Sequence, residues 1–358
     1  MTDPRLGELG FTAAQVDAFQ PFAADGLVPG RVVAGHTRYL RVATAEGETL
    51  AELAGSLRHQ AQNAEQLPAV GDWVALRPSA DGGSAVIQAV LPRRAAFVRR
   101  AAGARSVAQV LAANVDTVFL VVGLDGDFNL RRVERALVLA WESGASPVVL
   151  LNKADLVPDV EDKRAEVERV APGVPVCAVA AKAGEGLEAL APWLLPGRTV
   201  VLLGSSGVGK STLVNRLLGR EKQKTREVIE SADQRGRHTT THRELIELPG
   251  GALLIDTPGL RELQLWSDGA GLEAAFDDVS TFAASCRFTD CGHGNEPGCA
   301  VRVAVADGRL DAARLGSYLK LQAELRSLEI REDPLKRRAE RGRWRAAFKS
   351  ARNNPKRG

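Results

Sequence analysis

The stretch Gly204-Ser205-Ser206-Gly207-Val208-Gly209-Lys210-Ser211 sets glycines, a lysine and a hydroxyl in the spacing G-x-x-x-x-G-K-[ST]. Glycines let a backbone curl until successive N–H groups face one anion, and a helix starting there adds its positive end. The apolar run RTVVLLG precedes the loop, and STLVNRLLG, opening on Ser211 and Thr212, follows it. A strand therefore feeds a helix through the loop, as that chemistry requires. Lys210 is expected to span the β- and γ-phosphates of a nucleotide, and the Ser211 hydroxyl to ligate Mg²⁺.

Asp256-Thr257-Pro258-Gly259 closes the apolar run GALLI. At a strand end Asp256 reaches Mg²⁺ through water, and the Gly259 N–H meets the γ-phosphate. Between the two motifs lies Arg237-His238-Thr239-Thr240-Thr241-His242, in a polar, glycine-containing stretch. One threonine of that run, Thr240 by preference, completes the Mg²⁺ shell and closes over the γ-phosphate. The loop would order with the triphosphate and loosen with the diphosphate.

Asn152-Lys153-Ala154-Asp155 follows the apolar run SPVVLL and selects the base. The Asp155 carboxylate accepts hydrogen bonds from N1–H and the 2-amino group of guanine. Adenine has neither donor and would leave the carboxylate unpaired, which a polar site punishes heavily. Ala180-Ala181-Lys182, ending the run VPVCAVAAK, offers a backbone N–H to guanine O6. Serine is usual at its first position, so Ala180 predicts a looser loop that keeps its backbone contact. GTP and GDP are the ligands these motifs imply. In most GTPases the phosphate loop comes first and the base-reading motifs last; here that order is rotated.

Cys286-x4-Cys291-x-His293-x5-Cys299 supplies three thiolates and an imidazole within one glycine-rich loop. This donor set suits tetrahedral Zn²⁺ with no open position, hence a structural ion. Cys177, in an apolar run, is expected to be a small core residue.

The elements that must hold these groups follow from pattern. From Arg31 to Leu91 short alternating runs recur between Gly, Pro and Asp turns, predicting a small β-barrel such as an OB-fold. RRAAFVRRAAGAR reads as a bridge. From Asp116 apolar runs alternate with helical stretches, which predicts a parallel sheet covered on both faces. Beyond Trp266 the pattern turns helical. The 358 residues, 45% hydrophobic and 25% charged, exclude a disordered chain and predict two or three domains. No apolar run suits a membrane span and no secretory signal opens the chain, so a cytoplasmic location is expected. The net charge of +3 is unevenly spread: from Lys336 to Arg357 ten basic residues stand against Glu340. Such a tail is either a footprint for a polyanion or a solvated extension.

The rotated set NKAD, AAK, GSSGVGKS, GRHTTT and DTPG, with the β-rich start and the Cys/His spacing, resembles the bacterial ribosome small subunit-dependent GTPase A family over essentially the whole chain. The resemblance implies an OB-fold, a circularly permuted Ras-like P-loop domain and a mostly helical zinc-binding domain. We place these at 1–100, 101–268 and 269–358, the first with an N-terminal extension and linker, the last with the basic tail. It further implies late maturation of the 30S subunit, 16S rRNA as partner, and GTP hydrolysis stimulated by the small subunit. Neither DNA nor a membrane is expected as a partner, and nothing requires more than a monomer.

Leu260 stands where many GTPases carry a water-orienting glutamine. Slow intrinsic hydrolysis is expected, with a partner supplying what is missing; His238 is the candidate water-orienting group and Lys210 the stabiliser of transition-state charge. The alternative is a GTP-dependent RNA-binding switch with negligible hydrolysis. A metabolic P-loop kinase is disfavoured by NKAD.

Overall fold

The computed structural model describes residues 3–35, 39–79, 83–100, 108–126, 128–219, 243–256, 270–294, 296–332 and 338. Contacts divide the chain into two compact units, Met1–Gln264 and Leu265–Gly358. Among the described residues no helix is long and apolar enough to cross a membrane.

In the first unit, β1 (Val28–Gly35), β2 (Leu40–Thr44), β3 (Gly47–Leu53), β4 (Trp73–Arg77) and β5 (Ala85–Val90) lie in the order β1-β2-β3-β5-β4, and β4 pairs back onto β1. That closure makes a five-stranded OB-like barrel. Val32, Val42, Ala51, Val74, Leu76, Ala85 and Ile87 fill it, one set of alternating side chains from each strand. Part of the stretch read from sequence as a bridge forms β6 (Ala96–Arg100), which pairs antiparallel with β7 (Ala108–Ala113) beyond it. Its alternation was too short to stand out among arginines.

The second sheet is built from β8 (Thr117–Gly123), β9 (Ser146–Asn152), β10 (Val176–Val179), β11 (Thr199–Leu203), β12 (Glu244–Glu247) and β13 (Leu253–Asp256). Its order is β10-β9-β8-β11-β13-β12, parallel but for β12, which pairs onward with β1. This is the Ras-like arrangement, entered partway round. The strands are apolar almost throughout because helices cover both faces; β11 is buried along its whole length. Helix Leu130–Glu142 begins where the Asn129 side chain accepts the Arg131 N–H at 3.0 Å, and it buries Val133, Leu137 and Val138. The stretch GLEALAPWL forms a 3₁₀ segment, Leu187–Trp193, with Pro192 inside its last turn.

Barrel and sheet meet at Arg31, which is 1% exposed. Its guanidinium donates to the carbonyl of Leu9, to those of Gly71 and Asn114 at 3.3 and 3.4 Å, and to the Thr199 hydroxyl at 2.8 Å. It also lies 5.5 Å from the centre of the Trp73 ring. Burial lowers its pKa from the usual 12.5 to about 10, which leaves it charged at neutral pH. On the far side β1 continues into β12 through the pair Ala34↔Glu244, and Arg41 of β2 holds Glu244 at 2.6 Å.

In the second unit, helices Ala270–Ala275, Asp277–Ala283, Ala300–Ala306 and Ala312–Glu332 surround Phe276, Val279, Val301 and Leu315. Arg314 ties them: it donates to Asp278 at 3.0 Å and to the Ala275 carbonyl at 2.7 Å, beneath the Phe276 ring.

Candidate nucleotide and metal sites

The carboxyl ends of β8, β9, β10, β11 and β13 share one edge of the sheet, where ligands bind in open α/β folds. Residues 204–209 leave β11 at this edge and enter helix Lys210–Leu217. The glycines act by absence: a Cβ on Gly204 would run into the Val121 carbonyl, and one on Gly209 into the Asn152 side chain. Gly209 also has φ +96°, a conformation that costs a residue with a side chain strain energy. Val208, 2% exposed, anchors the loop in the core beneath it. Lys210 folds back, donating through Nζ to the carbonyls of Gly204, at 2.7 Å, and Ser205. Those weak acceptors mark where phosphate oxygens, with full charge, would compete for the ammonium.

Asn152, 2% exposed, is the tie between the motifs. Its Nδ2 donates to the Val208 carbonyl at 2.7 Å, and its Oδ1 accepts the Ala181 N–H at 3.0 Å. Lys153 adopts a left-handed backbone, φ +67°, and its ammonium pairs with Asp125. Sequence reading passed over Asp125, which lies just beyond β8 in the turn GLDG and outside any motif. Asp155 sits exposed in the turn Ala154–Leu156, its carboxylate open to a ligand. Ala180 and Ala181 are buried, and the turn they open closes through the Gly184 N–H to the Ala180 carbonyl at 2.8 Å.

Asp256 ends β13 opposite Glu244 of β12, and β13 runs parallel to β11, so Asp256 shares the phosphate-loop edge with Ser211. A hydroxyl and a carboxylate at one edge are the hard oxygen donors that Mg²⁺ takes. His238, Thr239, Thr240, Thr241, Gly259, Leu260 and the basic tail apart from Arg338 lie outside the described residues.

In the second unit the ligand atoms of Cys286, Cys291, His293 and Cys299 all lie within 4.8 Å of one another. His293 Nδ1 stands 3.7 Å from the Cys286 sulfur and 3.6 Å from that of Cys299, and the two sulfurs are 3.9 Å apart. Zinc–sulfur bonds of about 2.3 Å in a tetrahedron give edges of about 3.8 Å, so this donor set fits Zn²⁺. Electrostatics prepare it. Desolvation pushes the Cys286 thiol up, but N–H groups of Val301 and Ala300 and the neighbouring thiols outweigh it and lower its pKa. The His293 N–H favours the Cys291 thiolate, yet desolvation and the other two thiols push that pKa up to about 11. Crowded thiols that resist losing their protons together are stabilised by a shared cation. Desolvation lowers the pKa of His293, keeping its ring neutral for ligation. Cys177, partly buried in β10, packs against the main core of the sheet.

Comparison with known proteins agrees with this geometry. A family profile described as RsgA GTPase matches residues 90–266. The small ribosomal subunit biogenesis GTPase RsgA of Opitutus terrae is 54% identical over 356 residues, covering 97% of both chains. The protein of that name from Syntrophotalea carbinolica is 48% identical over 336 residues, 92% of each. Among solved structures, YjeQ from Thermotoga maritima superposes with a TM-score of 0.64 at 31% identity, covering 84% of this chain and 98% of its own. YloQ, described as a circularly permuted GTPase, matches in fold with a TM-score of 0.61 at 23% identity, over 84% and 96% of the two chains.

Proposed function

The chain belongs to the RsgA GTPase family, a GTP hydrolase of ribosome biogenesis, and from that premise we propose that it binds the 30S subunit and assists its late maturation. Hydrolysis of GTP to GDP and phosphate would be stimulated by the small subunit, with 16S rRNA as the contacted polymer. The observation that carries the reading is Asn152 joining the phosphate loop to both base-reading loops. That contact supports reading the rotated motifs as one guanine nucleotide pocket. In the same reading the chain works as a monomer with three domains, 1–100, 101–268 and 269–358, in the cytoplasm.

In this pocket Asp155 reads N1–H and the 2-amino group, while a backbone N–H of the Ala180–Lys182 turn meets O6. Gly204 to Thr212 wrap the phosphates, and Lys210 swings from its carbonyls to the β- and γ-phosphate oxygens. Mg²⁺, held by Ser211 and Thr240 and through water by Asp256, would supply positive charge to those oxygens. Water attacks the γ-phosphorus, the bond to the bridging oxygen breaks, and GDP leaves with the charge it gained. Lys210 and the loop N–H groups stabilise that charge. Leu260 cannot orient the water, so His238 does so when the ribosome places it. The four ligands of the second unit would hold a zinc ion that stabilises their loop.

Turnover with and without purified 30S subunits tests this function. Stimulation by 30S particles, and none by 50S particles or duplex DNA, is expected; unchanged turnover with 30S refutes the assembly role and favours a binding switch. Replacing His238 with alanine is expected to abolish stimulation while leaving GTP affinity intact.

A further inference from the structure

We infer that Arg216 is a positioning residue for guanine, holding from the phosphate-loop helix the turn that faces O6. The inference rests on the reading of Ala180–Lys182 as the O6 loop.

Arg216 lies in helix Lys210–Leu217 and belongs to no nucleotide motif. Its Nε donates to the Ala181 carbonyl at 3.1 Å, and its Nη2 donates to the Lys182 carbonyl. Two successive carbonyls taken by one planar fork fix the peptide planes they belong to, which a flexible ammonium could not do. The geometry of a trans peptide then sets the outcome. C=O and N–H point in opposite directions across the bond, and among the described residues every peptide is trans. Drawing the Ala181 carbonyl toward Arg216 turns the Lys182 N–H away from it, out of the helix side of the turn.

That N–H is the one Ala180–Lys182 has to offer. The Ala181 N–H is already engaged by Asn152, and the Ala180 N–H by the Glu185 carbonyl at 3.0 Å. Among the described residues the Lys182 N–H has no hydrogen-bond acceptor. Ala180, where serine is usual, brings no hydroxyl to stiffen the loop, and the guanidinium fork supplies that stiffness from outside. The same fork links the helix that carries Lys210 to the base-reading turn, so base and phosphate recognition share one rigid support.

The test compares GDP with 6-thioguanosine diphosphate, whose sulfur is bulkier and a weaker acceptor while N1–H and the 2-amino group remain. Affinities are titrated for the full chain, Arg216→Ala, Arg216→Lys and the double variant Arg216→Ala/Ala180→Ser, with thermal melting of each as the folding control. The unaltered chain is expected to prefer GDP. Arg216→Ala should lose about fivefold for GDP, the worth of one ordinary hydrogen bond, and less than about twofold for the thio analogue. Arg216→Lys should fall between, and the added serine should restore part of the preference. Equal losses for both nucleotides, leaving their ratio unchanged, would overturn the inference and reduce Arg216 to a structural tie. If the unaltered chain shows no preference, the O6 reading itself fails and the inference falls with it.

Discussion

The Asn152 side-chain amide donates to the Val208 carbonyl across 2.7 Å, although the two residues stand 56 positions apart in the chain. A second bond, from the Ala181 N–H, completes a bridge through three loops. Asn152→Ala therefore leaves a buried carbonyl and a buried N–H without partners. Affinity for both GDP and GTP should fall about tenfold or more, given about 1–3 kcal/mol for groups orphaned in this way. Fluorescence titration with a labelled guanine nucleotide measures it, and an affinity within twofold of the parent would contradict the bridge.

Asp155 is exposed in its turn and owes nothing to the fold around it, so its replacement should be read in nucleotide choice rather than in stability. Asp155→Asn turns an acceptor into a group that can donate to the 2-oxo group of xanthine. GTP affinity should drop by more than about a hundredfold while XTP binding appears, because mismatched polar sites discriminate strongly. Competition between the two triphosphates decides the matter; a variant that still prefers GTP would exclude Asp155 as the base reader.

Arg31 gathers the N-terminal segment, the barrel and the base of β11 in one set of buried hydrogen bonds. Arg31→Met keeps the bulk but strips the donors from those acceptors. A loss of about 2–4 kcal/mol is expected by urea denaturation, with Arg31→Lys losing less. The site lies at the amino end of β11, opposite the phosphate loop, so GDP affinity measured below the transition should stay close to that of the parent.

One zinc per chain is expected by elemental analysis, and strong chelators should remove it with loss of helical signal from the second unit. Acidification should release it as well, since thiolates must be protonated to let go. Cys286→Ser should lose the metal and most of the local stability. A chain that purifies metal-free with an unchanged melting curve would speak against the site.

Most of the proposed nucleotide pocket could be drawn from the sequence, because its motifs pair side-chain chemistry with a local strand, loop and helix pattern. Gly204 to Ser211 needed nothing from elsewhere to be read, and neither did the Cys286 to Cys299 spacing. Arg216, Asp125 and Arg31 escaped for the opposite reason. Their partners stand far along the chain, 35 residues for Arg216 and Ala181 and 168 for Arg31 and Thr199, and no local spacing encodes such a meeting. The β6–β7 hairpin was missed because its arginines hid a short alternation, an ordinary case of pairing overriding local composition.

The bridge between Ala34 and Glu244 has a consequence for how the chain can be divided. β12 would otherwise be the bare margin of the nucleotide-binding sheet, a row of unpaired amides ready to recruit another molecule's strand. The barrel serves as its cover, and Arg41 clasps the join. Cutting the chain near residue 100 would therefore yield a fragment inclined to stick to its own kind. The barrel thus protects its neighbour from self-association.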